Sequence, residues 1–262
     1  VIVQSYGVSV LGKPLLFYHT KDTLPSSLPS IWILGGIHGD ERGATQLVEN
    51  CLYKWGYQFP QVLWIPQVNP DGIQLDTRLN ARGVDLNRNF PGGWQRGPDQ
   101  GSYPLSEPES KALYRLLHKY PPQIILSLHW ALGQIDCDNE EAIILAQKWK
   151  EKLLPYQKQG QLNMEWVVSG TVQQPLLPGS WGHTLALMTH NNNSPSLTHK
   201  TLKALTLELP WHPEGLPGLK QRPNDHLIKT RELFNRSPSL YLASMEPLLY
   251  TFLQAANERV VQ

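Results

Sequence analysis

Cysteine is nearly absent: the chain has two in 262 residues, Cys51 and Cys137. That excludes a disulfide framework and points to a reducing compartment. Long apolar runs are missing as well, none approaching the ~20 residues of a membrane span. No signal-peptide pattern opens the chain at Val1. We therefore expect no membrane partner. Charge of one sign is also lacking, with 23 basic against 22 acidic residues and a formal net charge of +1. Nothing in such a balance suggests a nucleic-acid or polyanion binder, and we expect no nucleic-acid partner. Charged residues reach only 17%, against 40% hydrophobic, so the chain can bury a core and is no disordered polyelectrolyte. The length suits one large α/β domain or two small ones. With no internal repeat and no interdomain linker, we read 1–262 as a single domain. The composition leaves the oligomeric state open.

What is present is an alternation of apolar strands and amphipathic helices. Ile2 to Val10 and Leu15 to His19 read as an edge hairpin turned by Gly12-Lys13-Pro14. Residues 20–30 read as loop. Ile31-Trp32-Ile33-Leu34 reads as a buried strand. Ala44 to Trp55 has helical spacing, and Gln61 to Val68 is a strand ended by Asn69-Pro70-Asp71-Gly72, a turn by composition. Little periodicity follows over 73–108. Ser106 is placed to cap a helix running to about Tyr120, with Pro108 in its first turn. Gln123 to Leu128 is a strand that ends at His129, and Asn139 to Leu154 is helical. A strand near Met164–Ser169 precedes a loop with Pro175, Pro178 and Gly179, then a short helix near Trp181–Met188. Asn191 to Asn193 is loop, Thr201 to Leu209 is a strand, and 210–225, with four prolines, is loop. The last helix spans roughly Leu240 to Asn257, with Pro247 either kinking it or marking a later start. Such alternation argues for α/β layers around one sheet.

The chemistry concentrates at strand ends. Gly35-Gly36 follows the strand at Ile31, and His38 and Glu41 follow the glycines. One imidazole and one carboxylate so spaced can face a common point beyond the strand, where open α/β sheets bind ligands. His129 stands after a second apolar strand and is the natural third metal ligand. Two histidines and one glutamate leave one zinc position open for water, the pattern of a catalytic site. The alternative for His129 is a buried ring bonded to backbone. Glu208 lies inside the apolar run Leu205 to Leu209, where a carboxylate is costly unless paired or used. Beside a metal-bound water it can act as a base; the alternative is an exposed strand face shared with Thr206. Residues 78–91 hold three arginines and three asparagines. A guanidinium there can bind a carboxylate through its planar fork or hold an oxyanion. The alternative is a solvated basic loop, against which Val84 and Phe90-Pro91 argue, because they would anchor it to the body.

These pieces resemble the zinc metallocarboxypeptidases. The matched stretches are Gly36-Ile37-His38-Gly39-Asp40-Glu41, Asn69-Pro70-Asp71-Gly72, Asp85-Leu86-Asn87-Arg88-Asn89-Phe90-Pro91, Ser127-Leu128-His129 and Leu207-Glu208-Leu209-Pro210, in the family's order. The resemblance implies a three-layer α/β/α domain with a mixed, roughly eight-stranded twisted sheet. It implies one zinc ion on His38, Glu41 and His129, and Glu208 as general base and acid. It places Arg78 on the scissile carbonyl, with Asn87 and Arg88 holding the terminal carboxylate of a small peptide substrate.

Within the family the chain is most similar to the bacterial murein peptide amidases, cytoplasmic enzymes that cut γ-D-glutamyl-meso-diaminopimelate in cell-wall recycling. Leu132 to Asp138 and Pro178 to Gly182 carry that likeness. It makes Asp136 and Asp138 candidates for holding a substrate amino group, with a solvated loop as the alternative. Trp181 and Trp166 become candidate pocket walls, with the core as the alternative. Two departures stand out. Trp130-Ala131-Leu132 replaces the amidases' usual Ala-Pro-Leu, and no tyrosine occurs between Tyr156 and Tyr241 to close over the site. Residues 182–207 contain no acid, which argues against the basic-residue preference of some carboxypeptidases. A general metallocarboxypeptidase, an N-acyl amino acid deacylase of the same superfamily and a zinc-binding protein without activity are the alternatives.

Overall fold

The computed structural model describes residues 1–20, 31–130, 132–162, 165–168, 176–190, 202–209 and 238–260. Most of the loop expected over 20–30, and those at 191–193 and 210–225, lie outside the described residues. Eight strands form one sheet: β1 (Ile2–Val8), β2 (Pro14–His19), β3 (Ile31–Leu34), β4 (Val62–Ile65), β5 (Ile124–Trp130), β6 (Gln134–Cys137), β7 (Glu165–Val168) and β8 (Lys203–Leu209), in the order β1-β2-β4-β3-β5-β8-β6-β7. The β1–β2 hairpin is antiparallel and sits at one edge, as expected. Strands β4, β3, β5 and β8 run parallel, and β6 returns antiparallel beside β8. The sheet is therefore mixed. Its central strands are apolar because both of their faces are covered; all four residues of β3 are buried.

Helices cover both faces. Here α1 is Arg42–Trp55, α2 Pro70–Leu75, α3 Pro108–Lys119, α4 Ile143–Gln157, α5 Trp181–His190 and α6 Pro238–Val260. Alternate residues of a strand point to opposite faces. Leu126, Leu128 and Trp130 of β5 join Leu205, Leu207 and Leu209 of β8 on one face, packed against α1, α4 and α6 through Leu47, Trp149 and Phe252. Ile125 and Ala204 point the other way and meet Leu113 of α3 and Leu185 of α5. The α/β/α layering expected from the sequence is thus built by strand alternation.

Several local expectations change. Asn69 to Gly72 opens a helix instead of a turn: the Asn69 side chain accepts the Gly72 N–H at 2.9 Å, and Pro70 occupies the first helical position. Ser106 does not cap α3. Glu107 is the N-cap residue, and the Ser106 hydroxyl donates to its carboxylate at 2.9 Å. Strand β5 continues through His129 to Trp130, so His129 lies within the strand. Residues 134–137 form strand β6, which places Asp136 on the sheet and not in a solvated loop. Helix α1 begins at Arg42, earlier than expected, and α6 runs through Pro247.

Candidate active site

The loop after β3 is held tightly. Gly36 has φ of +66°, a conformation that suits glycine. A Cβ at Gly39 would come 2.0 Å from the backbone carbon of Gly72, so the loop presses on the start of α2. His38 and Glu41, the residue before α1, thereby reach the C-terminal end of β5 and meet His129. His38 Nδ1 stands 2.7 Å from Glu41 Oε1. His129 Nδ1 stands 3.0 Å from Glu41 Oε2 and 3.2 Å from His38 Nδ1. All three residues are buried.

This donor set fits zinc. Ligands on a tetrahedral zinc with bonds of about 2.0–2.1 Å stand roughly 3.3 Å apart, close to the separations seen. Two imidazoles and a carboxylate turned onto one point also call for positive charge there. Burial pulls the His38 imidazole down, but Glu41 and Asp85 outweigh it and carry its pKa up to about 9. Burial likewise pushes Glu41 up, and the two histidines overcome this, holding it down to about 2.

Asp85 is the residue that sequence reasoning missed, although it stands in a quoted stretch. Buried, it caps the 3₁₀ turn Leu86–Arg88 by accepting the Asn87 N–H at 2.8 Å. The same Oδ1 lies 3.2 Å from His38 Nε2, and Oδ2 accepts from Arg78 Nε at 3.0 Å. Burial would raise its pKa, yet His38 and Arg78 keep it well below the usual carboxylate range. Such outer carboxylates orient ligating histidines. A charged residue next to a turn is the only signal in the sequence, and it does not say which histidine is its partner.

Arg78 also faces Glu41 Oε1 at 3.7 Å, with its side chain 41% exposed. It thus sits beside this candidate metal-binding group with part of its side chain exposed. The loop around it is anchored as expected, Val84 and Phe90 being buried. Asn87 and Arg88 lie one turn further on. Asn87 Oδ1 accepts the N–H of Trp181, and Arg88 Nη1 donates to the Asn87 carbonyl at 2.7 Å. Trp181 packs against Phe90 with the rings tilted by 53° and their centroids 4.8 Å apart, its body in the core and one side on the cavity described next. Trp166 falls on β7.

Glu208 stands opposite His129 in the β5–β8 register, one strand away from the candidate metal-binding group. Burial pushes its carboxyl up to about 7; Glu41 adds to this, while His129, His38 and Arg78 oppose it. One step back along the strands, Ser127 pairs with Thr206, and Thr206 with Asp136 of β6. Asp138 follows β6 and accepts from the Thr206 hydroxyl at 2.9 Å. These two rungs share one sheet face and line a cavity of about 390 Å³ closed by Asn87, Trp181 and Gly182. The structure therefore brings Asn87, Asp136, Asp138, Trp181 and Glu208 to one cavity with His129, and leaves Arg78 and Arg88 outside its lining.

Comparison with known proteins follows the same lines. Residues 1–134 match the zinc carboxypeptidase family. Murein peptide amidase A of Escherichia coli (strain K12) is 31% identical over 235 residues, covering 80% of this chain and 90% of that protein. The crystal structure of murein-tripeptide amidase MpaA from Escherichia coli O157 superposes with a TM-score of 0.63 at 27% identity, covering 94% of this chain and 91% of that one. Carboxypeptidase A from Helicoverpa armigera shares the fold alone, with a TM-score of 0.64 at 16% identity over 100% of this chain and 70% of its own. With the sheet, the ordered stretches and a match spanning more than half its length in agreement, this chain is a member of the zinc carboxypeptidase family.

Proposed function

We propose that the protein is a hydrolase with one zinc ion, cutting an amide bond next to a free carboxylate, and that its substrate is the γ-D-glutamyl-meso-diaminopimelate bond of murein peptides. The observation that carries this is the His38–Glu41–His129 group set one strand from Glu208, beside a cavity that His129 and Glu208 help to line. The likeness to murein peptide amidase A supports the choice of bond. Two free, buried thiols support a reducing, cytoplasmic setting for cell-wall recycling.

Bound at His38, Glu41 and His129, zinc would supply a Lewis acid and acidify water. The residues of the chain do the rest. Glu208 takes the proton of the attacking water on a carboxylate oxygen and returns it to the leaving nitrogen. Arg78 faces the carbonyl oxygen as negative charge grows on it. Asn87 and Arg88 receive the substrate's free carboxylate, which fixes the reacting bond in place. Asp85 holds both His38 and Arg78, so one carboxylate sets the spacing between ligand and oxyanion donor.

The test is hydrolysis of L-Ala-γ-D-Glu-meso-diaminopimelate by zinc-loaded protein, beside ordinary peptides with free C-termini and N-acyl amino acids. Cleavage of the γ-D-glutamyl bond is the expected result. Release of ordinary C-terminal residues alone would make the protein a general carboxypeptidase, and turnover of N-acyl amino acids alone a deacylase.

A further inference from the structure

Asn69 does more than cap α2. It is fully buried, and each polar atom of its side-chain amide is engaged. Oδ1 accepts the Gly72 N–H at 2.9 Å. Nδ2 donates to the Ile37 carbonyl at 3.3 Å and to the Leu79 carbonyl at 3.2 Å. Ile37 precedes His38, and Leu79 follows Arg78. One amide thus joins the chain beside a candidate metal ligand to the chain beside the arginine. The Asn69 backbone N–H also donates to the Gly36 carbonyl at 2.8 Å, a second tie to the loop after β3. Independent support comes from the glycines around it. A Cβ at Gly72 would come 2.4 Å from Asn69 Nδ2 and 2.7 Å from the Leu79 carbonyl oxygen. Gly39 presses on the same residue from the other loop. Bare backbone at the first turn of α2 therefore lets three segments close around this amide.

The chemistry of the place calls for a short primary amide. It accepts at one end and donates two hydrogens at the other, whereas a carboxylate only accepts and a hydroxyl donates once. Aspartate or serine would serve equally well as a cap, so the two donated bonds point beyond capping. They bear on Arg78, whose long side chain is 41% exposed. Asp85 holds its head, accepting from Nε at 3.0 Å. A held head still shifts if its root shifts. The root is fixed on one side by the Thr77 N–H, which donates to the Gly72 carbonyl at 3.0 Å, and on the other by Asn69 at Leu79. A donor aimed at developing charge works only when its place is set beforehand.

We infer that Asn69 is a positioning residue for the hydrolysis: its amide fixes the backbone of Arg78 against that of His38, which keeps the guanidinium aligned on the oxyanion. The inference rests on the role given to Arg78 above and deepens it, because it names what sets that arginine in place. Being fully buried, Asn69 acts through Arg78 and not on the substrate.

The experiment is a double-mutant cycle on the zinc-loaded full chain, crossing Asn69→Asp with Arg78→Ala. The substrate is whichever of the peptides named above the parent cleaves fastest. Zinc content and melting temperature are recorded for the parent and each variant. Aspartate keeps the capping oxygen and the size of asparagine but donates neither bond. Asn69→Asp alone should lower kcat by about 30–100-fold, the scale of a small misplacement at the reacting centre. Its KM should stay within about threefold, because the loss is felt in the transition state. Arg78→Ala alone should lower kcat by about 10²–10³-fold. On top of Arg78→Ala, Asn69→Asp should cost less than about threefold more, because the group it places is gone. A merely structural Asn69 would cost the same in both backgrounds. That additive result, or an unchanged kcat in folded Asn69→Asp, overturns the inference and leaves the hydrolase intact. Full kcat in Arg78→Ala removes Arg78 from the mechanism and this inference with it. Cleavage of no peptide by the parent overturns the hydrolase and the inference together. Where Asn69→Asp does not fold, Asn69→Ser takes its place in the cycle with the same expectations. If neither folds, Asn69 serves folding alone and the inference falls.

Discussion

Asp85 Oδ1 lies 3.2 Å from His38 Nε2, on the side of the ring facing away from Glu41 and His129. The contact fixes which ring nitrogen is turned to the metal-ligand group. Asp85→Ala should therefore weaken zinc binding by about 10–100-fold, the usual effect of removing such a carboxylate. Zinc affinity by chelator competition checks this. Unchanged affinity in a folded variant would show that backbone and packing alone orient His38.

Glu208→Gln should keep zinc, because Glu208 is not among the three grouped candidate ligands. Turnover should fall by about 10²–10⁴-fold, the range for losing a positioned proton acceptor. Metal analysis and kcat on one preparation separate the two effects. Near-normal turnover would remove Glu208 from the mechanism.

Asp138 gives a prediction for stability. Burial, then Asp136 and Glu208, push its carboxyl up to about 8, against an opposing hydrogen bond from Thr206. The folded chain thus holds this proton more tightly than the unfolded chain. The resulting stability is present in full below pH ~4, the unfolded value, and is lost as pH rises towards 8. Asp138→Asn escapes the loss. Its melting temperature should move upward relative to the parent between pH 5 and pH 8.5, by roughly 3 °C or more. Parallel curves would mean that Asp138 titrates as an ordinary carboxylate.

Gly39→Ala tests the packing under the site. Its new methyl would meet the Gly72 backbone at 2.0 Å, where no side chain can swing aside. We expect a cost of about 3 kcal/mol or more, as for overpacking against rigid backbone. Gly83→Ala is the control for a glycine with nothing within 4 Å, where only its φ of +75° opposes the change. Denaturant midpoints decide. A Gly39→Ala midpoint equal to that of Gly83→Ala would mean that the loop after β3 can move away from α2.

Much of the scaffold was legible because apolar periodicity reports it directly. The β1–β2 hairpin, β3, β8 and helices α1 and α5 fall near their expected places. Asn69–Gly72 misled because a cap and a turn use the same residue types, and only the chain that follows tells them apart. Strand β6 was hidden because four residues of mixed polarity carry too little pattern. His129 looked like a residue beyond a strand because histidine breaks an apolar run, while the backbone continued through it.

By itself the sequence determined the layers, the family's ordered stretches and the residue types able to bind a metal, since these depend on local pattern and on chemistry carried by each side chain. Only the tertiary structure decided who meets whom. It set Asp85 between His38 and Arg78. It placed Glu208 opposite His129 through strand register and laid Asp138 under the gap left by Gly182. Those pairs are separated by 47, 7, 79 and 44 residues in the sequence. Contact across such distances is set by sheet order and packing, which depend on the whole chain at once.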